Sequence, residues 1–158
     1  ITGDAWRETL DINLSGAFYC AKYASKPMIE AGRGNIIHIA SVAGRIGYAL
    51  RTPYAASKWG MIGLSHSLAA ELGPHGIRVN AVLPGTTEGE RIERVIAARA
   101  AAEGKPLDQA RDYYVKDIPL GRMVTADEVA QTVLFLASDA SAGTTGQAIS
   151  VCGGFCMR

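Results

Sequence analysis

The chain has 158 residues, 48% hydrophobic and 20% charged, enough for one core of ordinary size without disulfides or structural metals. Sixteen basic against fifteen acidic side chains leave a net charge of +1, so no long-range field points to nucleic acid or an anionic membrane, and a small molecule is the expected partner. No apolar run approaches membrane-spanning length, the N-terminus lacks the charged-then-apolar plan of a signal peptide, and the three cysteines lack zinc-site spacing, which fits reduced thiols in the cytoplasm.

From Asp4 to about Ala31, Trp6, Leu10, Leu14, Phe18 and Tyr23 recur every four or five positions, the spacing of one long helix with a packed stripe, and Cys20 falls within it as a small core residue. Gly32 and Gly34 end that helix. Asn35 to Ala40 is a short apolar run rich in β-branched residues without polar alternation, as expected of a parallel strand covered on both faces. After a loop with Gly44, Gly47 and Pro53, a second helix is predicted from about Tyr54 to Leu72, stopped by Gly73-Pro74-His75-Gly76. A second buried strand follows at Arg78 to Leu83. Thr125-Ala-Asp-Glu128 is a capping box that opens a helix to Ala137, and Gln147 to Val151 is a last strand.

This alternation predicts an α/β fold with a doubly wound parallel sheet, Rossmann-like, in three α/β/α layers. Sheets of this kind bind ligands beyond the carboxyl ends of their strands, so chemistry is expected in Ser41-Val-Ala-Gly44 and in Pro84-Gly85-Thr86-Thr87. No Gly-x-Gly-x-x-Gly turn follows any strand, and three strands are about half of a doubly wound dinucleotide fold. The expectation is that residues 1–158 form the C-terminal part of a single domain whose N-terminal, nucleotide-binding half is missing. The stretch 86–118 is too long for a plain connection and is expected to be a helical lid, with Ile92, Val95, Ile96, Tyr113 and Tyr114 as an apolar wall; a solvated pair of helices carrying Arg91, Arg94 and Arg99 fits equally well.

Tyr54-Ala-Ala-Ser-Lys58 puts a phenol and an ammonium four apart on one helical face. A phenol serving as acid or base near neutrality must come down about three units from roughly 10, and a cation about 4 Å away at an effective dielectric near 20 supplies roughly the ~4 kcal/mol required. By itself the pair is a weak signal, since a solvated helix start places such residues together by chance. Ser41 strengthens it: thirteen residues earlier, just past a strand end, it offers a hydroxyl that can meet a substrate oxygen beside the phenol. Arg45 and Arg51 lie in the intervening loop, where a surface role is favoured over capture of a carboxylate or phosphate. His38 reads as a hydrogen-bonded strand residue, and no metal site is expected.

With Ser41, the Tyr54-x-x-x-Lys58 helix, Pro84-Gly85, Asn13 in Leu10-Asp-Ile-Asn-Leu14, Gly76-Ile-Arg-Val-Asn80 and Pro119-Leu-Gly-Arg122 in this order and spacing, the chain resembles the short-chain dehydrogenase/reductase family over nearly its whole length. The resemblance implies an NAD- or NADP-dependent oxidoreductase that moves hydride between nicotinamide and a secondary alcohol or ketone. Tyr54 would exchange the proton, Ser41 would steady the substrate oxygen, and Lys58 would bond the nicotinamide ribose and acidify the phenol. Asn13 would hold a water that joins Lys58 to solvent, and Pro84, Gly85, Thr86 and Thr87 would cradle the nicotinamide. The resemblance also implies a homo-oligomer, dimer or tetramer, built through the two long helices. Gly89 stands where the family often has a threonine that meets the cofactor, and Cys152 where it often has an acidic residue before Gly153-Gly154. Two alternatives stay open: a truncated, inactive fragment acting only as a binding or oligomerisation module, and an epimerase or dehydratase with the same active residues.

Overall fold

A computed structural model describes residues 1–157. The first helical region is three pieces: α1 (Gly3–Leu10), a π-helical turn (Asp11–Ser15) and α2 (Gly16–Ala31). Thr2 caps α1 through its side chain, and Gly32, in the left-handed conformation, ends α2. The other elements are β1 (Gly34–Ile39), a 3-10 turn (Val42–Gly44), α3 (Thr52–Leu72), β2 (Ile77–Pro84), α4 (Glu90–Glu103), α5 (Leu107–Val115), α6 (Ala126–Ala137) and β3 (Ala148–Val151). α3 begins two residues earlier than its sequence signal because Pro53 sits in its first turn, where a missing N–H costs nothing.

The sheet runs β1-β2-β3 with both pairs parallel, Gly34 opposite Ile77 and Ala81 opposite Ala148. Its two faces can be told apart by parity, because alternate strand residues point opposite ways. His38 on β1 meets Ser65 of α3, and Ile36, Ile77 and Val79 pack with Ala69 and Leu72 of α3 and Met28 of α2. Asn35, of the other parity, donates to the Leu136 carbonyl of α6, and Arg78 and Asn80 reach Ser138, Ser141 and Thr144 just beyond that helix. Thus α2 and α3 cover one face and α6 the other, the three-layer doubly wound arrangement expected.

Three sequence expectations are corrected. Trp6, Phe18 and Tyr23 are exposed, and Cys20 is exposed too. The residues of this region that pack inward are Leu14, Ala17, Ala21 and Met28, a stripe at helical spacing made mostly of smaller side chains. Within 86–118, Ile96 is fully buried and packs with Ala100, Ala110 and Met123, while Ile92, Tyr114 and Val115 close over them. α4 and α5 therefore have a small core of their own, and Tyr113 faces out with the Arg99 guanidinium 3.5 Å over its ring.

α6 starts as the sequence requires. Thr125 Oγ1 accepts from Glu128 N at 3.1 Å, Glu128 Oε2 accepts from Thr125 N at 2.8 Å, and Arg122 grips both carboxylate oxygens at 2.6 and 2.9 Å. The Arg122 guanidinium, with the Thr125 amide, holds the Glu128 carboxyl down at about 2. A carboxyl more acidic folded than unfolded adds stability above its unfolded value near 4.3, and that contribution is lost as pH falls. Glu128→Gln, which can still cap, should therefore melt below wild type at pH 7, with the gap closing as pH drops from about 5 towards 2; parallel thermal melts across that range measure it.

Candidate active site

β1 ends at Ile39, and the chain turns at once through Ser41, whose Oγ accepts from Ala43 N at 3.2 Å and so caps the 3-10 turn. That turn lies on the backbone of α3. A Cβ on Gly44 would stand 2.7 Å from the Lys58 carbonyl oxygen, so only glycine permits the approach. From the other side, Lys58 Nζ donates to the Ile39 carbonyl at 2.9 Å and lies 5.7 Å from the centroid of the Tyr54 ring. The α3 helix is thus tied to the carboxyl end of β1 beside Ser41. Burial pushes the Lys58 ammonium below its ordinary value, so this cation is held where it gives up a proton more readily than in water.

Asn13 lies in the π turn, a helical irregularity that is common at functional sites. Its Nδ2 donates to Ser57 Oγ at 3.1 Å, and Ser57 Oγ donates to the Tyr54 carbonyl at 2.7 Å. One residue on, Leu14 meets α3 where Gly60 leaves room: a Cβ there would be 2.7 Å from Leu14 Cδ2.

The Pro84–Thr87 loop leaves β2 next to the Ser41 turn, because Ala40 N donates to the Val82 carbonyl at 2.8 Å. It is pinned from the far side: Gly85 N bonds the Val151 carbonyl, and Val124 N and Val124 O bond Thr86 O and Glu88 N. Thr87 Oγ1 donates to the Gly85 carbonyl at 3.2 Å. Cys152 is buried here with Val42, Ile46 and Cys156, so close to Gly85 that a Cβ on that glycine would stand 2.8 Å from its own.

The structure therefore brings Tyr54, Lys58, Asn13 and the loops carrying Ser41 and Pro84–Thr87 to one edge of the sheet. Ser41 and Tyr54 are not hydrogen-bonded to each other. Of the other residues weighed from sequence, Arg45 turns inward and bonds the Ala148 carbonyl and Ser150 Oγ of β3, which makes it a structural cation. His38 is buried, bonds Ser65 Oγ at 2.8 Å, and is pushed down by burial, so it is a neutral core residue. Among the described residues no cluster of ligating side chains suited to a metal occurs, and no helix is long and apolar enough to cross a membrane. Ser57, which joins Asn13 to Tyr54, stands outside the residues singled out by the sequence. Its signal was that it sits inside Tyr54-x-x-x-Lys58, three residues after the tyrosine, where a serine hydroxyl reaches back to the helix carbonyl.

The site can be compared with known proteins. The family model described as enoyl-(acyl carrier protein) reductase matches residues 1–156. A 3-oxoacyl-[acyl-carrier-protein] reductase of Thermotoga maritima is 40% identical over 149 residues, covering 94% of this chain and 56% of the relative. Sorbitol-6-phosphate 2-dehydrogenase from Erwinia amylovora superposes with a TM-score of 0.93 at 34% identity, over 100% of this chain and 62% of that one. An actinorhodin polyketide ketoreductase solved with NADPH gives a TM-score of 0.90 at 36% identity, over 98% of this chain and 60% of that one. The chain spans between half and two thirds of the length of these relatives. With a parallel sheet, a Tyr54–Lys58 helix docked at its carboxyl edge and matches of this extent, the chain belongs to the short-chain dehydrogenase/reductase family.

Proposed function

We propose that this chain carries the catalytic residues of an NAD- or NADP-dependent oxidoreductase acting on a secondary alcohol or ketone. The observation that carries the reading is the anchoring of Lys58: its ammonium is fixed between the Ile39 carbonyl and the Tyr54 ring at the strand ends, beside Ser41. An ammonium has three donors, and one is spent on Ile39. The two others suit the vicinal hydroxyls of a nicotinamide ribose, so the donor set fits the cofactor. The Pro84–Thr87 loop, held by Val124 and Val151, would form the wall against which the nicotinamide rests.

When bound, the cofactor gives or takes the hydride. The protein's part is the proton and the placement of the substrate oxygen. Tyr54 passes the proton to the forming alkoxide or takes it from the alcohol. Ser41 donates to the same oxygen. Lys58 stabilises the charge that develops on the phenol, and Asn13 holds a water through which the proton reaches solvent. The α4–α5 pair would cover the substrate, and the homo-oligomer, a dimer or tetramer, would form over the exposed Phe18, Tyr19, Tyr23 and Trp59 of α2 and α3.

The test is turnover by the complete protein of ethyl acetoacetate, cyclohexanol and a sugar alcohol with each nicotinamide cofactor, followed by nicotinamide absorbance. At least one substrate should be turned over, and Tyr54→Phe should lower that rate about 100-fold or more. No cofactor-dependent turnover, or a Tyr54→Phe protein as fast as wild type, would overturn the reading. Gly44→Ala should push the Ser41 turn off α3 and lower kcat about 10- to 100-fold while the protein stays folded by circular dichroism.

A further inference from the structure

Ser57 is wholly buried, and its hydroxyl is the meeting point of two site residues. It has one hydrogen to give, which goes to the Tyr54 carbonyl at 2.7 Å. The atom of Asn13 that faces it, 3.1 Å away, must therefore be a donor, so the side-chain amide is oriented with Nδ2 towards Ser57 and Oδ1 turned away. A serine bonded only to its own helix would be an ordinary feature of a helix interior. Here the second bond comes from a residue 44 positions earlier in the chain, inside the π turn. Three residues on, the Leu14–Gly60 contact presses the same π turn against the same face of α3.

We propose that Ser57 is a positioning residue of this site, its shared hydroxyl setting where Asn13 stands relative to the Tyr54 backbone; the inference rests on the oxidoreductase reading above. Ser57 touches neither substrate nor cofactor in this role. It acts through Asn13, by aiming the amide and holding the π turn in register, and through Tyr54, whose carbonyl it fixes. Loss of the hydroxyl leaves the Asn13 amide without its partner and free to turn, which weakens the proton path and leaves substrate binding alone.

The experiment uses the complete protein and whichever probe of the panel is turned over fastest. Ser57→Ala should lower kcat about tenfold, with KM and cofactor affinity unchanged to within about twofold, because an interaction serving only the proton-transfer step is lost. Asn13→Ala should lower kcat at least as much, and the double variant should be no slower than Asn13→Ala alone, since Ser57 then has nothing left to position. Ser57→Cys fills the same space with a weak hydrogen-bonding group; it should show the same kcat loss and decides the matter if Ser57→Ala does not fold. Wild-type kcat in the folded Ser57 variant, a loss confined to KM, or losses that multiply in the double variant would overturn the inference. Tyr54→Phe assayed alongside separates the two levels: if it is inactive while the Ser57 variant matches wild type, only the role of Ser57 falls, and if it is fully active the oxidoreductase reading falls with it.

Discussion

The approach of α3 to the carboxyl end of β1 is the contact on which the rest of this edge depends. Gly44 lets the Ser41 turn lie on the Lys58 carbonyl, and Gly60 lets Leu14 of the π turn lie on the opposite side of the same helix. Lys58 then closes the gap by donating to Ile39. At Gly44 the neighbour is the backbone of α3, which leaves no room for a methyl group, whereas at Gly60 the space is filled by the end of the Leu14 side chain. Each glycine gives up chain entropy on folding, so its use at these two points shows where proximity outweighs stability.

A second set of contacts serves the loop after β2. Gly85 rests on Cys152, and Cys152 packs with Val42 next to Ser41, so one small buried side chain touches both loops at the strand ends. A charged residue at that place would need a partner in a pocket made of Val42, Ile46 and Cys156. The thiol needs none. Below the edge, each sheet face has its own cover: Met61, Ala69 and Leu72 of α3 lie over Ala81, Leu83, Ile77 and Val79, and polar bonds from Asn35, Arg78 and Asn80 tie the other face to α6 and the turn after it.

The alternation of elements, the capping box of α6 and the Tyr54–Lys58 pair were all legible in the sequence, because each is a local pattern whose physics acts within a few residues. The inward stripe of the first helices differs from the one the large apolar residues suggest. Large aromatics at Trp6, Phe18 and Tyr23 mark the surface, whereas Ala17 and Ala21 face inward, since a helix lying close on a sheet needs small residues at the contact. Periodicity gives the existence of a stripe; the size of the side chains that fit under it depends on the distance to the neighbouring layer. The π turn was hidden for a similar reason: its one extra residue per turn is held by Asn13 and Leu14 against α3, contacts made across 44 positions or more.

The sequence by itself determined the order of strands and helices, the parallel sheet, the family, and the set of residues gathered at the strand ends, because those follow from period, caps and motif spacing along the chain. Only the tertiary structure decided how these residues are held. The bond from Lys58 to the Ile39 carbonyl, the inward turn of Arg45 to β3 and the bridge through Ser57 all join residues distant in sequence. Whether a side chain finds such a partner depends on the packing of whole layers, which no local pattern encodes.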